Sequence, residues 1–254
     1  MDWLETIVKR RRAGLAALEA RRGQWKDAAP VTQPGRFRRA LRQDSLQVIA
    51  EIKRASPSRG ILAPDLDPEA LACAYRDGGA AALSVLTEEE FFHGTPEDLQ
   101  RAARASDLPV LRKDFLVDPL QIEESLAMGA DAVLLIVAAL PGRHLAEMVA
   151  CATEAELDAL VEIHDANELQ RALDADAALV GVNSRDLRSF TVDLARAEEM
   201  AGLLPAGVVR VAESGIRGPA DARRMRDAGY DAVLVGESLV CAGDPARALR
   251  ELRS

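Results

Sequence analysis

The spacing of apolar residues changes once along the chain, near Gln47. Before it, Leu4, Ile7, Val8, Leu15 and Leu18 recur at near-helical intervals. Lys9-Arg10-Arg11-Arg12 and Arg21-Arg22 fall on the polar side, which predicts an amphipathic helix whose basic run is a solvated face. A second short helix is expected over Phe37 to Gln43. After it, short β-branched and apolar runs begin near Gln47, Ala81, Pro109, Asp131, Asp158, Ala178, Val208 and Asp231, about 26 residues apart on average. The stretches between them carry helix-start signals: Asp67-Pro68-Glu69, Gly94-Thr95-Pro96-Glu97 and Val117-Asp118-Pro119 each set Pro in the first turn beside an acidic residue. Three stretches close on Gly79-Ala80, Gly129-Ala130-Asp131 and Gly229-Tyr230-Asp231, where Gly permits the left-handed residue of a tight turn into a strand.

Eight such strand–helix units predict an α/β fold, a (β/α)8 TIM barrel forming one domain over residues 1–254. Residues 1–45 are expected to be a helical extension covering the barrel mouth. The rival is an open doubly wound sheet, which usually carries a Gly-rich phosphate loop after its first strand. Neither GxGxxG nor GxxxxGK[ST] occurs here.

Composition narrows the class. With 48% hydrophobic residues in 254, the chain can bury a sizeable core and is not disordered. The longest apolar run, Ala132 to Leu140, is about half a membrane span, and the acidic start Met1-Asp2-Trp3-Leu4-Glu5 is unlike a signal peptide. Cys73, Cys151 and Cys241 are far apart and lack CxxC spacing, so they are read as buried free thiols of a cytoplasmic protein. A net charge of −9 argues against a broad nucleic-acid surface. The expected partner is a small-molecule substrate, with no nucleic acid, no membrane, and a monomer or weak homo-oligomer.

Charge type carries the chemistry. Of 32 basic residues only four are Lys, and two of those, Lys53 and Lys113, fall at predicted strand ends. In a barrel, the C-terminal strand ends face the active site. Glu51 and Lys53, two apart, share a face with Ile49 and point inward by strand alternation. Lys113, Glu162, Asn183 and Glu213 end other strands. Such a cluster at one mouth needs a polar or ligand-filled cavity, because buried charge is costly unless paired. Lys rather than Arg suits proton transfer, since burial lowers a lysine pKa while a guanidinium stays charged.

The last two strand ends suggest an anion site. Glu213-Ser214-Gly215-Ile216-Arg217-Gly218 and Gly236-Glu237-Ser238 set small residues where backbone N–H groups can approach a phosphate. His93, His144 and His164 lack HxH or HExxH spacing, so no metal is expected. His164, two after Glu162, is read as structural.

These strings resemble the indole-3-glycerol-phosphate synthase family of tryptophan biosynthesis. The matching segments are Ile49-Ala50-Glu51-Ile52-Lys53-Arg54-Ala55-Ser56-Pro57-Ser58, Leu83-Ser84-Val85-Leu86-Thr87, Phe91-Phe92, Leu111-Arg112-Lys113-Asp114-Phe115, Val161-Glu162-Ile163-His164, Val182-Asn183-Ser184-Arg185-Asp186-Leu187, Glu213-Ser214-Gly215-Ile216 and Val235-Gly236-Glu237-Ser238-Leu239. They run in order from the first strand to the eighth.

The resemblance implies a cofactor-free ring closure of 1-(2-carboxyphenylamino)-1-deoxyribulose 5-phosphate, with loss of carbon dioxide and water. It implies Lys113 as general acid for ring closure and Glu162 as its acid/base partner. Lys53 and Glu51 form a pair near the substrate, and Asn183 and Glu213 orient substrate or lysines. The dehydration acid is left open between Lys53 and Glu162. Lys53, Ser214, Gly215, Gly236 and Glu237 are implied at the phosphate, with Arg185 and Ser56 at the mouth. Phe92, Leu134 and Leu187 are implied around the aromatic ring, and Phe91 is read as ordinary packing.

Two alternatives are weighed. Phosphoribosylanthranilate isomerase, another phosphate-binding barrel, uses a first-strand Cys that this chain replaces with Glu51 and Lys53. A non-catalytic sugar-phosphate-binding barrel has no need of Lys53, Lys113 and Glu162 together.

Overall fold

Residues 3–25, 33–186 and 191–253 are described in a computed structural model of the chain. The strands are β1 (Gln47–Ile52), β2 (Ala55–Ser56), β3 (Gly60–Ile61), β4 (Ala82–Leu86), β5 (Val110–Lys113), β6 (Ala132–Ile136), β7 (Asp158–Ile163), β8 (Leu179–Asn183), β9 (Val209–Glu213) and β10 (Ala232–Val235). All but β2 and β3 are parallel and close a barrel in chain order, β10 pairing back onto β1 with Gln47 opposite Ala232. This is the (β/α)8 barrel read from the spacing. β2 and β3 form a small antiparallel hairpin in the loop after β1.

The helices are α1 (Trp3–Arg21), α2 (Arg36–Leu41), α3 (Pro68–Gly78), α4 (Glu89–Phe92), α5 (Pro96–Ser106), α6 (Pro119–Met128), α7 (His144–Glu154), α8 (Ala166–Asp174), α9 (Leu194–Ala201), α10 (Pro219–Asp227), α11 (Glu237–Val240) and α12 (Pro245–Leu252). Start signals act as read: the Asp67, Thr95 and Asp118 side chains accept backbone N–H bonds from Glu69, Asp98 and Leu120. Gly79 and Gly129 follow α3 and α6 at φ of 88° and 87°, the left-handed turn into the next strand.

Strand alternation divides the core in two. Val48, Leu83, Val133, Val161, Val180 and Val233 point outward to the helices. Ile49, Ala82, Leu111, Leu160, Leu179 and Val211 fill the barrel interior together with Phe37 and Leu41 of α2, both fully buried. α2 is seated at the strand starts: the Arg38 backbone N–H donates to Asp158 at 2.8 Å and the Arg36 guanidinium lies 3.3 Å from Asp131. The extension, expected over the mouth throughout, is therefore divided. α1 reaches the mouth, and α2 plugs the opposite end, where burying Phe37 contributes about 1.5–3 kcal/mol.

Two further expectations are corrected. Arg11 is not on a solvated face, because its guanidinium pairs with the buried Asp114 carboxylate. The thiols are free, but Cys241 is exposed and Cys73 and Cys151 only partly covered, since all three lie on or beside outer helices.

Candidate active site

The C-terminal strand ends surround a cavity of about 920 Å³. Fourteen of the fifteen residues assigned to the site from sequence line it: Glu51, Lys53, Ser56, Phe92, Lys113, Leu134, Glu162, Asn183, Arg185, Glu213, Ser214, Gly215, Gly236 and Glu237. The fifteenth, Leu187, lies outside the described residues.

Lys113, last residue of β5, projects inward between carboxylates from two other strands. Its Nζ lies 3.1 Å from Glu162 Oε2 and is also paired with Glu213 Oε2. Asn183 Nδ2 donates to Glu162 Oε1 at 3.1 Å, and its Oδ1 accepts the Arg185 backbone N–H, so the amide is held from both ends. Across the barrel, Lys53 Nζ lies 2.6 Å from Glu51 Oε1. Gly181 and Gly236 make room: a Cβ at either would run into the Glu213 or the Glu51 carboxylate.

Burial opposes charge on Lys113, yet Glu213, Glu162 and Glu51 outweigh it and hold the ammonium above the usual lysine range. Burial likewise pushes the carboxyls up. For Glu162 the effect is overcome by Lys113, His164 and the Asn183 amide, leaving it lowered. For Glu213, burial and the negative charge of Glu162 and Glu51 prevail over Lys113, pushing it up to about 7. The arrangement is a charged acid beside an ionised carboxylate, with a second carboxyl that shares its proton near neutrality.

The walls differ in character. Phe92 and Phe115 lie 6.1 Å apart between ring centroids and line the cavity with Leu134 and Ile136. Trp3, Leu4 and Ile7 of α1 complete this apolar side. Opposite, Ser214 and Gly215 are both left-handed, at φ of 66° and 86°, and a Cβ at Gly215 would come within 2.7 Å of Val192. This strained turn faces the cavity with Gly236 and the Lys53 ammonium. The β2–β3 hairpin bends over the mouth, with Arg59 paired to Glu237 at 2.6 Å and Arg185 Nη1 donating to Ser58 Oγ at 3.4 Å.

The profile of the indole-3-glycerol phosphate synthase family matches residues 4–252. The chain belongs to this family. A relative named indole-3-glycerol phosphate synthase, from Rhizorhabdus wittichii, is 49% identical over 251 residues, covering 96% of this chain and 93% of its own. One named indole-3-glycerol phosphate synthase 2, from Streptomyces coelicolor, is 49% identical over 248 residues, covering 98% and 95%. Among solved structures, a thiamine phosphate pyrophosphorylase from Pyrococcus furiosus superposes with a TM-score of 0.61 at 19% identity, over 82% of this chain and 94% of that one. That last likeness shows the barrel alone.

Sequence reasoning missed several lining residues of this family member. Leu4 and Ile7 were read only as one face of a helix and Trp3 only as part of the acidic start, and nothing in a 3.6-residue period says which surface the face covers. Phe115 sits inside the matched LRKDF string and was quoted without a role. Phe91 does not line the cavity; it stacks edge-on with Trp3 at 5.3 Å beneath the Arg10 guanidinium. His164, read as a turn residue, brings Nε2 to 3.6 Å from Glu162 Oε1.

Proposed function

We propose that the chain is a carbon–carbon lyase that converts 1-(2-carboxyphenylamino)-1-deoxyribulose 5-phosphate to indole-3-glycerol phosphate, carbon dioxide and water in tryptophan biosynthesis. The observation that carries this reading is the Lys113 ammonium set between Glu162 and Glu213 at the border of an apolar and a polar wall. Ring closure needs a proton on the ketone oxygen as the aniline carbon attacks, and a lysine kept charged by carboxylates supplies it. Carbon dioxide then leaves and the ring regains aromaticity. Dehydration needs a second proton for the departing hydroxyl and a base for the proton on the carbon beside nitrogen. The lowered Glu162 carboxyl favours the role of base, which leaves Lys53 as the acid.

Substrate orientation follows from the two walls. The aromatic ring takes the Phe92, Phe115 and Leu134 side. The phosphate takes Lys53 and the backbone N–H groups of Ser214-Gly215 and Gly236-Glu237, with Ser56 and Arg185 closing from the hairpin side. Glu51 holds Lys53, and Asn183 holds Glu162. The whole chain works as one domain, with α1 forming part of the ring pocket. Among the described residues no helix is long and apolar enough to cross a membrane.

Indole fluorescence should appear when the purified protein is mixed with the carboxyphenylamino sugar phosphate. Its absence would leave a barrel with another ligand. Ser214→Asp places negative charge beside the phosphate and should raise KM sharply; an unchanged KM would move the phosphate site elsewhere.

A further inference from the structure

β1 and β10 separate at the mouth. Their ladder runs from Gln47 opposite Ala232 to Ala50 opposite Val235 and stops, because Gly236 turns the chain away into α11. On its other side β1 stays paired with β4 through Ile52 opposite Val85. The split helps to open the polar wall, and it falls at Glu51, the residue that holds Lys53.

Alternation along β1 tells which backbone group loses its strand partner. The Gln47 N–H donates to Asp231, just before β10, whereas the Val48 carbonyl accepts from Ala81, just before β4. Successive residues of a strand turn their N–H and C=O to opposite neighbours, so Glu51 faces the same way as Gln47. Its carbonyl is therefore aimed at the side that β10 has vacated. A buried carbonyl without a donor is costly. Tyr75 of α3 supplies the donor: the residue is fully buried and its hydroxyl donates to the Glu51 carbonyl at 3.1 Å. Burial and the Glu51 charge both raise the phenol's pKa, so the hydroxyl stays protonated and remains a donor.

The bond lands on the peptide between Glu51 and Ile52, and so fixes the strand between two inward side chains. One is the Glu51 carboxylate, for which Gly236 leaves room, and the other is the Lys53 ammonium 2.6 Å from it. We propose that Tyr75 is a positioning residue of this site, its hydroxyl standing in for the missing strand donor and setting the Glu51–Lys53 pair against the substrate. This rests on the activity proposed above, with Lys53 as the acid of dehydration. Tyr75 does not line the cavity and acts through Glu51.

The other tyrosine of the chain is a matched control. Tyr230 is likewise buried and its hydroxyl donates at 2.7 Å to a backbone carbonyl, that of Ala197 on α9, but it precedes β10 at the far end of the barrel. Tyr75→Phe and Tyr230→Phe each remove one oxygen and one hydrogen bond of the same kind.

The test compares both variants with wild type in denaturation, steady-state turnover and single turnover of the carboxyphenylamino sugar phosphate. Both should lose stability to a similar degree. Tyr75→Phe alone should lower kcat, on the order of tenfold, since a misplacement of about 1 Å costs about a hundredfold and one lost hydrogen bond allows less. In a single turnover it should release carbon dioxide at near the wild-type rate while indole fluorescence lags, because Lys113 is untouched. In a Glu51→Gln background the same substitution should add little. Wild-type turnover by Tyr75→Phe, an equal loss in both tyrosine variants, or an equal slowing of carbon dioxide and indole overturns the positioning role and leaves the activity standing. A Tyr75→Phe protein that does not fold would make the hydroxyl a strut of the whole barrel and overturn it too. An inert wild type removes the activity and the positioning role with it.

Discussion

Arg112, Lys113 and Asp114 are consecutive, yet they belong to two charged clusters of opposite design. Lys113 points into the barrel. Its neighbours point outward, where Arg112 is 2% and Asp114 1% exposed. Outside, every polar atom of the pair is answered. The Arg112 nitrogens reach Thr87 Oγ1 at 3.1 Å, the Gln121 carbonyl at 3.1 Å, Ser125 Oγ at 3.0 Å, Asp114 at 3.1 Å and Glu124 at 2.8 Å. Asp114 also accepts from Thr87 Oγ1 at 2.6 Å and from the Phe115 N–H at 2.7 Å, and pairs with Arg11 of α1. Inside, Glu213 Oε1 and His164 Nε2 are buried without hydrogen-bond partners. Three glutamates, Glu51, Glu162 and Glu213, face two lysines. The Arg112–Asp114 pair is fully bonded and fixes structure, although Arg11 Nε at its edge is buried without a partner. A guanidinium holds its protons there, whereas a carboxyl and an imidazole left short of partners keep theirs exchangeable. The first reads as scaffold and the second as chemistry.

Breaking the inner cluster should have the largest effect on rate. Lys113→Ala should lower turnover by roughly a hundred- to ten-thousand-fold, the range for a lost general acid, while circular dichroism and the thermal midpoint show a folded barrel. Breaking the outer cluster should act on stability. Asp114→Asn leaves Arg112 and Arg11 without their shared anion, and chemical denaturation should show a loss of about 3–5 kcal/mol. Arg11→Ala removes only one of the two cations and should cost less, about 1.5–3 kcal/mol, with the loss reported by the same denaturation curves.

The smallest and sharpest contrast is in pH. Burial works against Asp114, but Arg11, Arg112 and the hydrogen bonds hold its carboxyl below the ordinary range. Its contribution is therefore complete above the unfolded value and is lost as pH falls through the lowered one. Glu213 has the opposite sign. With a folded value of about 7 against an ordinary 4.5, the native state binds the extra proton between them, so stability falls as pH rises across that window. Asp114→Asn should flatten the acid side of the stability–pH curve, and Glu213→Gln the side between about 4.5 and 7. If each variant flattened the other's side, the assignment of the two clusters would be reversed.

The fold and the inner cluster were legible for the same reason. A strand has a period of two, so Glu51 and Lys53 had to share a face, and a barrel sends the C-terminal ends of its strands to one mouth. The outer cluster was hidden because its members come from α1, β5 and α6, and residue spacing carries no information on which helix covers which strand. Arg11 lay in a basic run whose ordinary place is solvent. Phe37 and Leu41 looked like any short amphipathic helix, although they close the barrel's lower end. His164 was overlooked because a single histidine beside a turn has no signature until its two neighbouring carboxylates are located in space.

The central claim is that Lys113 does chemistry and Asp114 holds structure although they are adjacent. It is tested most directly by turnover of the carboxyphenylamino sugar phosphate by Lys113→Ala and Asp114→Asn, compared at a temperature where both are folded. The account predicts that the first is nearly inert and the second retains most of the wild-type rate. Near-normal turnover by Lys113→Ala, or an equal loss in both, would contradict it.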